Sequence, residues 1–132
     1  MQVTQKMKND KQDNLLEELL REKAAVLSRA GMAVEEAIDK LIRIEREIEE
    51  KKSLLKFTEV DNRSSEVSRD EQLIYKEINM SIDKFNAFHQ KAETQYYYLI
   101  VTREALGLRR HEMIQKMYRI PDKKRKYELD NG

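Results

Sequence analysis

Apolar residues recur at every seventh position along two long stretches of the chain. One series runs from Leu20 to Leu55 and the other from Ile78 to Leu106. A spacing of seven keeps residues on one face of an α-helix, so each series predicts a long amphipathic helix. The series consist of Leu20, Leu27, Val34, Leu41, Ile48 and Leu55, and of Ile78, Phe85, Ala92, Leu99 and Leu106.

Short polar signals indicate where these helices begin and end. Asn14 with Glu17, and Ser68 with Glu71, have the three-residue spacing of a capping box and predict two helix starts. Gly107 directly follows the second series and predicts a left-handed C-terminal cap. We therefore expect helices over 14–56 and 69–106, followed by a short helix over 109–119.

These elements divide the chain into three parts. Residues 1–13 are polar and are expected to be disordered, residues 14–120 form a single helical domain, and residues 121–132 form a basic C-terminal tail. Two helices of similar length joined by one loop predict an antiparallel hairpin. Each apolar stripe is wider than one partner helix covers, so we expect an all-α protein that dimerises into a four-helix bundle.

The composition supports long helices and excludes several classes of protein. Charged residues make up 39% of the chain, whereas there are only three Gly and one Pro, too few for the turns of a β-sandwich. There is no Cys, so disulfides and thiolate metal sites are ruled out. The apolar run Tyr96 to Val101 is far shorter than the roughly 20 residues of a membrane span. With no apolar leader either, we expect a cytoplasmic protein.

Small residues cluster on the first helix around Ala30 and Gly31. Glycine costs about 1 kcal/mol relative to alanine inside a helix, so we expect close helix packing there, with a kink or ligand cleft as the alternative. Three consecutive tyrosines, Tyr96 to Tyr98, point in different directions, which leaves one or two of them for a contact surface. The predicted interface residues are Ala30, Gly31, Val34, Ala37, Tyr97 and Tyr98.

Positive charge is concentrated near the C-terminus. Residues 103–127 contain nine Lys and Arg against three Asp and Glu, whereas residues 1–102 have a net charge of −3. Such a region binds nucleic acid or another anion, binds an acidic partner or membrane surface, or is a solvated tail. The candidate anion contacts are Arg109, Arg110, Lys116, Arg119, Lys123, Lys124 and Arg125.

The same region resembles the first half of a phage-repressor helix-turn-helix. The resemblance lies in Arg103-Glu104, Gly107-Leu108, a short amphipathic helix and Ile120. It implies that 122–129 is a recognition helix in DNA. Tyr118 stands where that family has Gly in its turn, and the family's remaining core helices are missing.

No established catalytic pattern is present in the sequence. His89 and His111 are far apart and belong to no metal-binding pair, and no phosphate-binding glycine loop occurs, so we expect no cofactor and no enzyme activity. The enzyme alternative requires Glu93, Glu104, His89 or Arg103 to converge in a polar pocket between the helices.

Two blocks resemble an uncharacterised family of small bacterial helical proteins. They are REKAAVLSRAG, followed by Val34-Glu35, and VTREALGLRRH. The resemblance implies a helical hairpin from a bacterium and no activity. We therefore expect a non-enzymatic, self-associating interaction protein, with a nucleic-acid-associated or regulatory protein acting through residues 103–127 as the alternative.

Overall fold

The computed structural model describes residues 2–61 and 69–129, with side chains described at 4–58 and 69–129. Three helices make up this part: α1 (Gln2–Asp61), α2 (Arg69–Ala105) and α3 (Glu112–Met117). No strand occurs within these ranges, so the predicted all-α class is confirmed. Most of the predicted loop between the two long helices, and the Ser68 cap, lie outside the described residues.

The two long helices pack antiparallel along the predicted apolar series. The buried core includes Leu41 and Ile48 of α1, together with Ile78 and Phe85 of α2. Lys51 Nζ donates to Ser81 Oγ at 2.7 Å, which sets the register of the hairpin. Counting 24 residues outward from this pair places Ala105, the last residue of α2, close to Leu27. The stripe of α1 before Leu27 therefore has no α2 beside it.

Helix α1 begins at Gln2, so the expected helix start at Asn14 is wrong, and residues 2–13, which were expected to be disordered, are helical in the structure. No Gly or Pro interrupts the chain before Gly31, and a helix extends more easily than it starts. Asn14 and Glu17 therefore lie inside a continuous helix. At its other end α1 continues to Asp61, past the predicted residue 56.

Helix α2 ends as the glycine signal predicts. Gly107 has a φ of +88°, Gly107 N–H donates to the Glu104 carbonyl at 3.0 Å, and Leu108 N–H donates to the Arg103 carbonyl at 2.8 Å. These are the two hydrogen bonds of a Schellman cap. The turn continues to His111, so α3 has six residues and is shorter than the predicted 109–119.

Candidate interaction surfaces

The N-terminal part of α1 extends beyond the hairpin as a free-standing helix. We call residues 2–26 the overhang. Residues 4–22 are all exposed, and they include four leucines close together. Leu15, Leu16, Leu19 and Leu20, here called the leucine cluster, keep 65%, 56%, 47% and 58% of their surface exposed.

The leucine cluster lies on the same side of α1 as the core. Leu16 and Val34 are about five helical turns apart and so project in the same direction. Val34 lies in the part of α1 that is paired with α2 and has no exposed surface, whereas Leu16 lies beyond the end of α2 and is 56% exposed. The leucine cluster is therefore an uncovered continuation of the core stripe within the overhang, and contiguous apolar patches of this kind mark contact surfaces.

Residues 118–129, here called the C-terminal segment, lie along the hairpin and are held there by two asparagines of α2. Asn86 Nδ2 donates to the Lys124 carbonyl at 2.9 Å and Asn86 Oδ1 accepts from Lys124 N–H at 2.9 Å. Asn79 forms the same pair of bonds with Tyr127, at 2.9 and 2.8 Å. Asn79 and Asn86 are seven residues apart on a helix, and Lys124 and Tyr127 are three residues apart in an extended chain. Both separations are about 10 Å, so each asparagine can meet its own partner.

Side chains fasten the same segment to both long helices. Lys124 Nζ lies 3.1 Å from Glu45 Oε1 and 4.9 Å from the centre of the Phe85 ring. The Tyr127 ring meets Tyr75 edge-on with 5.3 Å between centroids. Ile120 packs against the core. The segment after α3 is thus part of the fold, and the expectation of a solvated tail is wrong for its residues up to 129.

This docking changes what the basic residues can contact. Lys124 is committed to Glu45 and Phe85, and is not a free cation. The segment 122–129 contains no helix, so the expected recognition helix of the helix-turn-helix resemblance is absent from these described residues. The other candidate anion contacts are exposed: Arg109, Arg110, Lys116, Arg119, Lys123 and Arg125.

The Tyr118 hydroxyl lies beside Gly31 of α1. A Cβ on Gly31 would lie 3.4 Å from Tyr118 Oη, which is an ordinary van der Waals contact, so this approach does not require glycine. The Tyr118 hydroxyl donates to Glu35 Oε1 at 3.0 Å. Burial raises the pKa of Tyr118 above its ordinary 10.0, and the hydrogen bond and negative charge of Glu35 raise it further. The small-residue face packs against the C-terminal segment of its own chain.

The predicted interface residues separate into two groups. Val34 is fully buried and Ala37 packs against the core, so the protomer itself covers them, as it partly covers Ala30 and Gly31. Tyr97 and Tyr98 remain exposed at the end of α2. A contact with another chain can therefore use the tyrosines, but not Val34.

The four polar residues of the enzyme alternative do not meet in one place. Arg103 Nε donates to His111 Nδ1 at 3.3 Å, and His111 Nε2 lies 3.2 Å from Glu104 Oε1, at the α2–α3 turn. His89 is buried about 21 Å before Arg103 along the axis of α2, with its Nδ1 3.6 Å from Glu93 Oε1. The first group braces a turn and the second is a separate pair within α2.

Sequence reasoning missed the residues that organise these surfaces. Asn79 and Asn86 were not singled out, although their spacing of seven beside the second apolar series was a usable signal. Of the leucine cluster only Leu20 belongs to a predicted series, because the other three leucines are not at a multiple of seven residues from its members.

Comparison with protein-family models, curated proteins and solved structures found no match to this chain. Within the described residues no helix is long and apolar enough to cross a membrane. The same part of the chain contains no group of three or more His, Asp or Glu side chains arranged for a metal ion.

Proposed function

We propose that this protein is a non-enzymatic helical interaction protein that self-associates through its overhang. The observation that carries the proposal is the exposed leucine cluster on the same stripe that α2 covers elsewhere. An amphipathic helix gains stability when another helix removes its apolar face from water. The proposal takes the cytoplasm as its setting, in keeping with a sequence without cysteine.

The proposed dimer differs from a bundle formed along the whole hairpin. From Leu27 onward α2 covers the stripe of α1, and the C-terminal segment lies in the groove beside it. The uncovered stripe is confined to the overhang, so association is centred there. Tyr97 and Tyr98, at the exposed end of α2, are secondary contact candidates.

Replacing Leu20 by glutamate tests the proposal. We expect the wild-type protein to have about twice the 15.8 kDa chain mass at high micromolar concentration in light scattering or sedimentation. Leu20→Glu should shift the population to the monomer, because it puts a charge into the apolar contact. Thermal stability of the hairpin should change little, since Leu20 contacts no other helix.

Leu73→Glu is the matched control. Leu73 lies on α2 and is 58% exposed, the same fraction as Leu20. The proposal requires this variant to associate like the wild type. A wild-type protein that stays monomeric at these concentrations refutes self-association, and equal effects of the two substitutions refute the role of the overhang.

The second candidate function is nucleic-acid or anion binding by the basic end. Its support is the set of exposed cations around Arg109 and Arg110. Phosphate contacts make binding strongly dependent on salt. Retention on heparin and on a generic duplex should therefore be compared at low and physiological salt. Absence of retention at low salt excludes this function.

A further inference from the structure

We propose that two copies join through their overhangs in antiparallel orientation, with the two-fold axis between Glu17 and Glu18. The inference rests on the proposed self-association and adds the direction and register of the partner helix. Three independent features of the overhang support it: the order of its leucines, the position of Lys23 on the stripe, and its length.

The leucine cluster is symmetric about its own centre. The order Leu-Leu-Glu-Glu-Leu-Leu over 15–20 is the same in both directions along the chain. With the axis at this centre, Leu15 lies opposite Leu20 of the partner subunit and Leu16 lies opposite Leu19 of the partner subunit. A two-fold contact requires a patch that complements itself, and this order provides one.

Lys23 distinguishes the two orientations of the partner. It lies on the stripe between Leu16 and Leu27 and is partly buried even in the single chain. In parallel orientation the two Lys23 ammonium groups would face each other inside the contact, which is unfavourable. In the antiparallel register Lys23 faces Gln12 of the partner subunit, whose amide oxygen accepts a hydrogen bond from the ammonium group.

The overhang also has the right length and position. Its 25 residues span about 37 Å, and the proposed axis lies within a few residues of its middle. An antiparallel partner helix runs in the same direction as α2 and covers the stripe up to Leu27, where Ala105 of α2 begins to cover it. The first turns of the partner helix, before Lys8, then pass beside the end of α2. The partner thereby extends the helix pairing that the hairpin starts.

Cysteine cross-linking tests the orientation, because the chain contains no cysteine of its own. Gln12→Cys and Lys23→Cys are prepared as separate full-length proteins, mixed and mildly oxidised. We expect a disulfide-linked dimer in the mixture and little in either protein alone. In the antiparallel register, residue 12 and residue 12 of the partner subunit are offset by 11 residues, about 16 Å along the helix axis, and the same holds for residue 23. A disulfide needs Cα atoms within about 7 Å, so neither variant should cross-link to itself. Gln72→Cys, at an exposed position of α2 outside the proposed contact, measures how much disulfide forms by random collision.

The outcomes separate the orientation from self-association itself. Efficient cross-linking of each variant alone indicates a parallel dimer and overturns this inference, while the proposed self-association stands. A monomeric mass for the wild type overturns both. Small-angle scattering of the unmodified dimer is the second measurement: the antiparallel dimer is about 130 Å long and a parallel one about 90 Å. The shorter length contradicts the inference.

Discussion

At the scale of single residues, Asn79 and Asn86 show how a helix can hold an extended chain without a β-sheet. Each carboxamide has one donor and one acceptor in the positions that the backbone of a neighbouring strand would offer. Each therefore satisfies both the N–H and the carbonyl of one residue of the C-terminal segment. Backbone groups that lose water on docking need such partners.

Asn86→Ala should loosen the C-terminal segment. Two hydrogen bonds to Lys124 are lost, and leaving partly buried groups unpaired costs about 1–3 kcal/mol, offset in part by the higher helix propensity of alanine. We expect lower stability in urea and faster exchange of the Lys124 amide proton. Gln90→Ala, at an exposed site on the same helix, controls for propensity. Unchanged exchange at Lys124 would show that Asn86 does not hold the segment.

Tyr118 makes stability depend on pH in the alkaline range. Its pKa is raised in the folded state, so the neutral phenol is the favoured form, and its contribution is complete below pH 10.0 and is lost as pH rises through the raised value. Tyr118→Phe should therefore cost about 0.5–1.5 kcal/mol at pH 8 and less at higher pH. Denaturant unfolding of the wild type and of Tyr118→Phe, at pH 8 and at a pH above 10.0, measures the difference in the free energy of unfolding at each pH.

The control for Tyr118 is Tyr98→Phe, which removes an exposed hydroxyl from α2. It should leave the free energy of unfolding nearly unchanged at pH 8. The pKa of Tyr118 is obtained by titrating the ultraviolet absorbance of the wild type and subtracting the titration of Tyr118→Phe. A value of 10.0 or lower contradicts the expected shift.

At the scale of elements, the sequence predicted what depends on local and periodic signals. The second apolar series and Gly107 placed the end of α2 within one residue of Ala105, because burial along one face and a positive φ both leave direct marks in the sequence. The start of α1 was wrong because a polar segment without breakers extends an existing helix even when it has no apolar face. The Asn14–Glu17 pattern is an ordinary pair of helix residues in that setting.

The docking of the C-terminal segment could not be predicted from local patterns. Its hydrogen bonds join residues 38 and 48 positions apart, and its ion pair with Glu45 joins residues 79 apart. A run of Lys and Arg is compatible with a solvated tail, an anion site or an intramolecular contact, since each satisfies the charges. Only the three-dimensional position of Asn86 and Glu45 distinguishes them.

At the scale of the whole molecule, the chain is unequally covered. Within the hairpin, α2 covers the apolar stripe of α1, and the C-terminal segment packs in the groove between the two helices. Neither element covers the overhang. A 60-residue helix paired with a 37-residue helix leaves this difference in any antiparallel hairpin with one short connection. The proposed self-association through the overhang would give the unpaired length a role, as a contact that is separate from the folded core.

Helix content should therefore depend on protein concentration. A helical end without tertiary contacts is marginally stable in water, and association stabilises it by mass action. The overhang holds about a quarter of the 103 helical residues in α1, α2 and α3. Diluting the wild type through its dissociation range should lower the circular dichroism signal at 222 nm by up to about this fraction.

Leu20→Glu should show the diluted signal at every concentration, whereas Leu73→Glu should follow the wild type. A wild-type signal that is constant over the range in which its mass changes would mean that the overhang is helical without a partner, and that association joins helices already formed.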